Sequence, residues 1–262
     1  MRPNYFFFVL IVQAASFHIK TKFIRFSPLK LVDQNQKNWP QTFEEINKSR
    51  YSCKDFSTKP VPLELLKKLL INSQRAPSSF NSQPYKALVV TDGKEKAKLS
   101  RAMMGANKKR VLDAGVSIVY AADLNILAKK AELVKLFEES SGKKGNPFIS
   151  KLPLYLAIFS SGHIRFVRPV MRALKAFVFS LARRLGMELP PINDPQAWVF
   201  KNTMLSVQTL LLNATACGLS SIAMEGFDPR KMRKVMKIPR RYSVPVVVSI
   251  GYPLAENKTV SK

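Results

Sequence analysis

An α+β fold is what this sequence predicts, and three observations predict it. Helical patterns outnumber strand-like runs. The strand-like runs, near 87–91, 116–121, 220–224 and 244–250, are not regularly interleaved with helices, as a doubly wound sheet would require. Neither G-x-G-x-x-G nor G-x-x-x-x-G-K-[ST] occurs, so a Rossmann or P-loop nucleotide site has no support.

The chain has 262 residues, 46% of them apolar, which suffices for one sizeable core or two small ones. Its two cysteines, Cys53 and Cys217, cannot make a disulfide framework and lack metal-ligand spacing; they read as packing residues. His18 and His163 stand far apart, so the inventory points to neither a zinc site nor a histidine-based triad. No G-x-S-x-G elbow and no paired carboxylates stand out. If the chain is an enzyme, a bound organic cofactor is the expected source of its chemistry. The charge is lopsided: 43 Lys+Arg against 17 Asp+Glu, net +26. Such a balance attracts nucleic acid, anionic lipid or phosphorylated ligands; the plainer reading is a solvated basic face.

Residues 1–32 carry five basic residues and no acid. Tyr5 to Val12, YFFFVLIV, is an apolar run followed by the small residues Ala14, Ala15 and Ser16, as in a signal-peptide core. A bilayer span takes roughly 20 apolar residues, so this run is too short to cross as a helix. The basic, acid-free stretch behind it resembles an organellar transit peptide. Residues 1–38 therefore read as a targeting or anchoring extension outside the fold, the alternative being an arm packed on the domain. An organelle is the expected location, the mitochondrion ahead of a plastid or the secretory route.

The globular domain, 39–262, begins near Trp39-Pro40. Thr42-Phe43-Glu44-Glu45 has the shape of a capping box and opens a short helix to about Ser49. Pro62 to Gln74 has apolar residues at 63, 65, 66, 69 and 70, a helix with proline in its first turn. Ala76 to Tyr85, APSSFNSQPY, is a loop unusually rich in hydroxyls and amides between two prolines. Ala87 to Thr91 is a strand, and Gly93 leads into a helix over about 94–103. Val116 to Ala121 is a second strand, and 124–139 reads as helical. Asp194-Pro195 opens the longest helical pattern, running to about Cys217 with Gly218 as its C-cap. Trp198 and Phe200 fit either the core or a substrate face, the core being the expected place. Ser220 to Met224 is a short strand, Asp228-Pro229 starts another helix, and Val244 to Ile250 is a strand ending in Gly251-Tyr252-Pro253.

Residues 151–186 are basic and hydrophobic, with seven Lys/Arg and no acid. From Pro169 onward Val170, Met171, Leu174, Val178, Leu181 and Leu185 share one helical face, and Arg172, Lys175 and Arg183 share the other. Such a helix suits peripheral membrane contact; it also suits a peripheral helix packed on its own domain.

Four stretches, in order and at fitting spacings, resemble the FMN-dependent nitroreductase family. They are Arg50-Tyr51-Ser52-Cys53-Lys54-Asp55-Phe56; the loop Pro77-Ser78-Ser79-Phe80-Asn81-Ser82-Gln83-Pro84-Tyr85; Asn107 to Ala114; and Glu225-Gly226-Phe227-Asp228 with the strand and Gly-Tyr-Pro behind it. The resemblance covers about 43–253. It implies a central, mostly antiparallel sheet flanked by helices in an intertwined homodimer, with the 194–217 helix as the dimer core. It implies FMN as cofactor and NAD(P)H as donor. Hydride would pass through flavin N5 to a nitroaromatic or quinone-type small molecule in a ping-pong cycle. No catalytic side chain, metal or specific nucleic acid is expected.

The resemblance also assigns roles. Arg50, Tyr51 and Ser52 would serve the phosphate end, where an arginine fork matches phosphate oxygens. Lys54 would face the N1/O2 edge of the ring, and a positive charge there stabilises the reduced flavin. Pro77, Ser78, Ser79 and Asn81 would cradle the flavin held mainly by the other subunit, with Gln83 orienting the loop. Asn107 and Arg110 would serve the pyrimidine edge and the ribityl or phosphate group. Glu225 and Gly226 would present backbone N–H groups at N5 and O4, glycine allowing close approach. Lys258 is the nearest equivalent of a basic pair expected beyond the last strand. Other readings keep the fold with dehalogenase or oxidase-like chemistry, or make the chain a basic membrane- or nucleic-acid-binding module with a degenerate flavin site.

Overall fold

Aspartate caps and prolines start several helices where the sequence places them. The computed structural model describes residues 8–11, 22–23, 39–141, 149–153, 156, 168–187 and 194–254. Asp92 Oδ1 accepts from the N–H groups of Lys94 and Glu95 and opens α3 (Gly93–Ser100). Asp194 accepts from Gln196 N–H (2.9 Å) and opens α7 (Pro195–Ala216). Asp228 accepts from Arg230 and Lys231 and opens α8 (Pro229–Val235). These bonds satisfy N–H groups that have no partner inside the helix. Gly218 ends α7 at φ +72°, and Leu219 N–H returns to Ala214 O at 2.9 Å.

Several boundaries move. The helix α1 runs Trp39–Ser49, starting ahead of the proposed capping box because Pro40 fits a first turn. Pro62 is the N-cap of α2 (Leu63–Ser73) rather than its first residue. A helix α4 spans Asn107–Asp113. The stretch read as one helix over 124–139 is a 3₁₀ turn, Ile126–Lys129, followed by α5 (Lys130–Ser141). The amphipathic pattern after 168 is α6 (Arg168–Arg184).

The sheet is mostly antiparallel, as expected. At its centre β3 (Tyr85–Val90) pairs with β4 (Val116–Asp123), β4 with β7 (Val247–Gly251), and β7 with β5 (Ser220–Met224), all antiparallel. A short β6 (Tyr242–Ser243) also pairs with β4. The strand read over 244–250 begins only at Val247, past Pro245, whose nitrogen has no hydrogen to donate to a ladder. Two strands come from the extension read as lying outside the fold. The strand β1 (Phe8–Ile11) runs parallel to β3, and β2 (Lys22–Phe23) is antiparallel to β1. Over those residues the extension joins the sheet, since an edge strand offers unpaired N–H and C=O groups to a further strand. The rest of 1–38 and Lys258 lie outside the described residues.

Both faces of the sheet are covered, and β4 is buried along its whole length. Val119 and Ala121 point to one side, with Leu99, Val111, Phe227 and Met232 from α3, α4, α8 and their connections. Ile118 and Tyr120 point to the other, with Leu66, Leu69 and Leu70 of α2 and Val207, Leu210 and Ala214 of α7. Alternate residues of one strand thus feed two cores. Trp198 is buried in a third cluster with Ile126 and Leu133, and Phe200 packs against it half-buried. Cys53 is buried, and burial pushes its thiol up, consistent with a packing role.

Candidate functional site

The proposed site residues fall into two groups, each built differently. The first gathers three of the four motifs along β5, one at its start and two beyond its end. Ser52 bridges Ser221 in parallel, and Cys53 N–H donates to Ser221 O at 3.1 Å. The chain from Arg50 to Lys54 therefore advances in the direction that β5 takes towards Glu225. Tyr51 is tied to the same strand, its hydroxyl oxygen accepting from Ser220 Oγ at 3.3 Å. From the other side Met104 N–H donates to Gly226 O (2.9 Å), Met103 bridges Phe227, and Asp228 N–H donates to Ala102 O (2.8 Å). These contacts fix the start of α4 against the turn that follows β5.

Asn107 and Arg110 are one helical turn apart on α4. Asn107 Nδ2 donates to Gly226 O at 3.2 Å, while its Oδ1 accepts from Arg110 NH1 at 2.6 Å. A Cβ at Gly226 would stand 2.7 Å from Asn107 Nδ2, so the amide occupies the space that only glycine leaves. Arg50 and Arg110 are half-buried, and Ser52, Lys54 and Glu225 are exposed. None of Arg50, Lys54 and Arg110 has a carboxylate partner among the described residues. Three cations without counter-ions, hydroxyl and amide groups and a bare backbone turn suit a ligand with a phosphate dianion and a flat polar-edged ring. The residues present fit FMN.

The second group is the Pro77–Asn81 loop. Ser79–Asn81 forms a 3₁₀ turn, and three non-glycine residues have positive φ: Phe80 (58°), Asn81 (47°) and Gln83 (38°). Each such residue costs roughly 1 kcal/mol or more and needs surroundings that impose it. Side chains from elsewhere supply them. Ser79 N–H donates to Asn202 Oδ1 on α7 at 2.7 Å, and buried Asn202 donates in turn to Trp198 O at 2.8 Å. Gln83 Nε2 donates to Gln74 O (3.0 Å), so this residue orients the loop, as read. Ser78 Oγ accepts from Gln83 N–H at 3.0 Å. Lys129 Nζ donates to Gln83 O at 3.2 Å, and burial pushes its ammonium below the ordinary lysine value. Pro77, Ser79 and Asn81 are left exposed.

Beneath the loop, buried Asp123 takes two bonds from Arg241, one of 2.7 Å from Nε, and its own N–H donates to Pro84 O. This charge-assisted fork raises the Arg241 guanidinium further above its usual value. A cavity of about 290 Å³ lies beside the loop, lined by Gln83, Tyr85, Lys129, Glu132 and Tyr242 among others. Of the proposed site residues only Asn81 lines it, so it is not where the first group opens.

The register relates the two groups. Met224 lies opposite Val247, Val247 opposite Val119, and Val119 opposite Leu88. The end of β5 and the start of β3 therefore share one end of the sheet, with β7 and β4 between them. Three strand spacings of about 4.8 Å put Met224 about 14 Å from Leu88, and β3 begins three residues further along, at Tyr85. One chain thus presents the two groups at the same end of its sheet.

Asn202, Lys129 and the Asp123–Arg241 pair escaped the motif reading. Asn202 had a signal: it interrupts the apolar face that Trp198, Val199, Val207 and Leu210 form along α7, and a buried polar group needs a partner.

Comparison with known proteins shows the family. The sequence profile of the nitroreductase family matches residues 48–252, and the chain belongs to that family. It is 28% identical over 208 residues to the NADH dehydrogenase of Thermus thermophilus, covering 79% of this chain and 84% of that one. It is 26% identical over 215 residues to the oxygen-insensitive NAD(P)H nitroreductase of Salmonella typhimurium, covering 79% and 87%. A protein of Exiguobacterium sibiricum solved in complex with FMN shares the fold, with a TM-score of 0.60 at 18% identity over 81% of this chain and 88% of that one.

Proposed function

We propose that this nitroreductase-family chain transfers hydride from NAD(P)H, through FMN, to a nitroaromatic or quinone-type acceptor in a ping-pong cycle. It does so as a homodimer in which each site draws on both subunits. The chain is an NAD(P)H-dependent oxidoreductase with FMN as its cofactor. The observation that carries the reading is the cluster at the end of β5. There the Asn107 amide, held by Arg110, fills the space that Gly226 leaves, and Arg50, Lys54 and Arg110 have no carboxylate partner among the described residues.

When bound, FMN supplies the redox chemistry. The chain's part is binding and orientation. Arg50 and Ser52 would hold the phosphate end. Lys54 and Asn107 would meet the pyrimidine edge, and the Glu225–Gly226 backbone would face the reacting edge. Arg110 anchors Asn107, so the amide is preorganised before any ligand arrives. The loop belongs to the site as a partner's contribution. Its exposed hydroxyl and amide are rigidly positioned yet lie two strands from the cluster of their own chain.

The test is an absorption spectrum of the purified full chain before and after adding NADH or NADPH without oxygen. Flavin absorbance that bleaches with a donor and returns with a nitroaromatic or a quinone is expected. Bound flavin that neither donor bleaches would overturn the assigned donor. A chain that retains and rebinds no FMN would leave the binding-module reading. Turnover confined to halogenated phenols would shift the chemistry to dehalogenation. Dimer sharing is tested by mixing Arg50→Ala chains with Asn81→Ala chains. Mixed dimers should regain one intact site of two; no recovery of flavin binding would place the loop in its own subunit's site.

A further inference from the structure

The helix α6 offers an exposed apolar surface to which none of the candidate site residues belongs. Val170, Leu174, Phe177, Val178, Leu181 and Leu185 are each between 49% and 75% exposed. Their spacing keeps them within one stripe about 100° wide along the helix. None of them joins the three buried clusters that hold the domain together. A continuous row of large apolar side chains on a surface marks a docking site.

Charge identifies the occupant. Segment 151–186 has seven Lys/Arg and no acid, and exposed Arg183 and Arg184 close the helix. A second copy docked through the same stripe would bring this acid-free segment against itself, cation against cation. An anionic lipid surface matches both features at once, accepting the apolar row below the headgroups and the arginines among the phosphates. No described helix is long and apolar enough to cross a membrane, so the helix would lie in the interface. We propose that α6 docks the protein peripherally on anionic membrane. This stands apart from the flavin reading and does not depend on it.

The test is flotation of the full, FMN-loaded chain with phosphatidylcholine vesicles, with and without phosphatidylserine, at low and high salt. Binding to the serine-containing vesicles is expected, weakened by salt and absent without anionic lipid. The double variant Phe177→Glu, Leu181→Glu should abolish it with flavin content unchanged. Arg183→Glu with Arg184→Glu should lower the bound fraction by more than tenfold, since each basic residue near such a surface contributes roughly fivefold. No flotation with either vesicle overturns the proposal, as does flotation that both variants retain. A fall in molar mass by light scattering in the Phe177→Glu, Leu181→Glu variant would assign the stripe to a second copy. Retention of an oligonucleotide but not of vesicles would assign the charge to nucleic acid.

Discussion

The two halves of the candidate site are held in different ways. Around Glu225–Gly226 the chain is fixed mainly by backbone: 50–54 runs along β5, and 102–104 pairs with 226–228. The loop over 77–84 has strained dihedrals and depends on side chains that reach it from α7 and from 129, with the Asp123–Arg241 pair holding the strand end on which Pro84 rests. A backbone-built half tolerates most substitutions that spare its ligand groups. A half built on a few buried side chains yields to single replacements far from the ligand.

The largest effect should fall on the second half. Asp123→Asn breaks a buried carboxylate fork whose arginine is one-third exposed. It should destabilise the fold by about 3 kcal/mol, a fall in Tm of roughly 6–12 °C for a domain of this size. An unchanged melting curve would dissolve the contrast, because the loop would then not rest on that pair. Next comes the first half. Arg50→Ala should weaken FMN binding by about 1.5–3 kcal/mol, roughly ten- to a hundredfold in Kd, with little change in apoprotein Tm. Equal losses of stability and affinity would mean that Arg50 is structural.

Asn202→Ala is intermediate. It strands Ser79 N–H, at a cost of about 1–3 kcal/mol, and it touches no ligand group. Thermal unfolding should show the loss, and Asn202→Asp, which keeps the acceptor for Ser79, should recover part of it.

The smallest effect concerns pH. Burial lowers Lys129 below its ordinary 10.5, so the folded chain releases that proton before the unfolded chain does. Between those two values the unfolded state binds more protons, and stability rises with pH. Wild type should therefore gain on Lys129→Met as pH climbs from neutral towards 10.5, followed as the difference in Tm. A difference that does not vary with pH would remove the buried ammonium from the loop's support.

Much of the fold was legible because its signals are local. Asp194 and Asp228 cap helices through bonds to residues two or three positions on. Gly218 turns at the end of α7 because a positive φ favours glycine. The four motifs were legible for the same reason: each keeps its ligand groups within a few positions. What they could not convey was their arrangement. Asn107 meets Gly226 across 119 residues, Ser79 meets Asn202 across 123, and Arg241 meets Asp123 across 118. Sheet register and helix packing create those neighbours.

Sequence was therefore sufficient for the helix caps, the strand runs, the basic acid-free character of 151–186 and the types of group a flavin would need. The folded chain added that three motifs gather along β5 while the fourth stands at the start of β3, with β7 and β4 between them. It also showed that the stripe on α6 faces outward. The reason is physical: caps and turns are decided by bonds a few residues long. Which groups share a site is decided by how both faces of one sheet are buried, and no short window of sequence contains that.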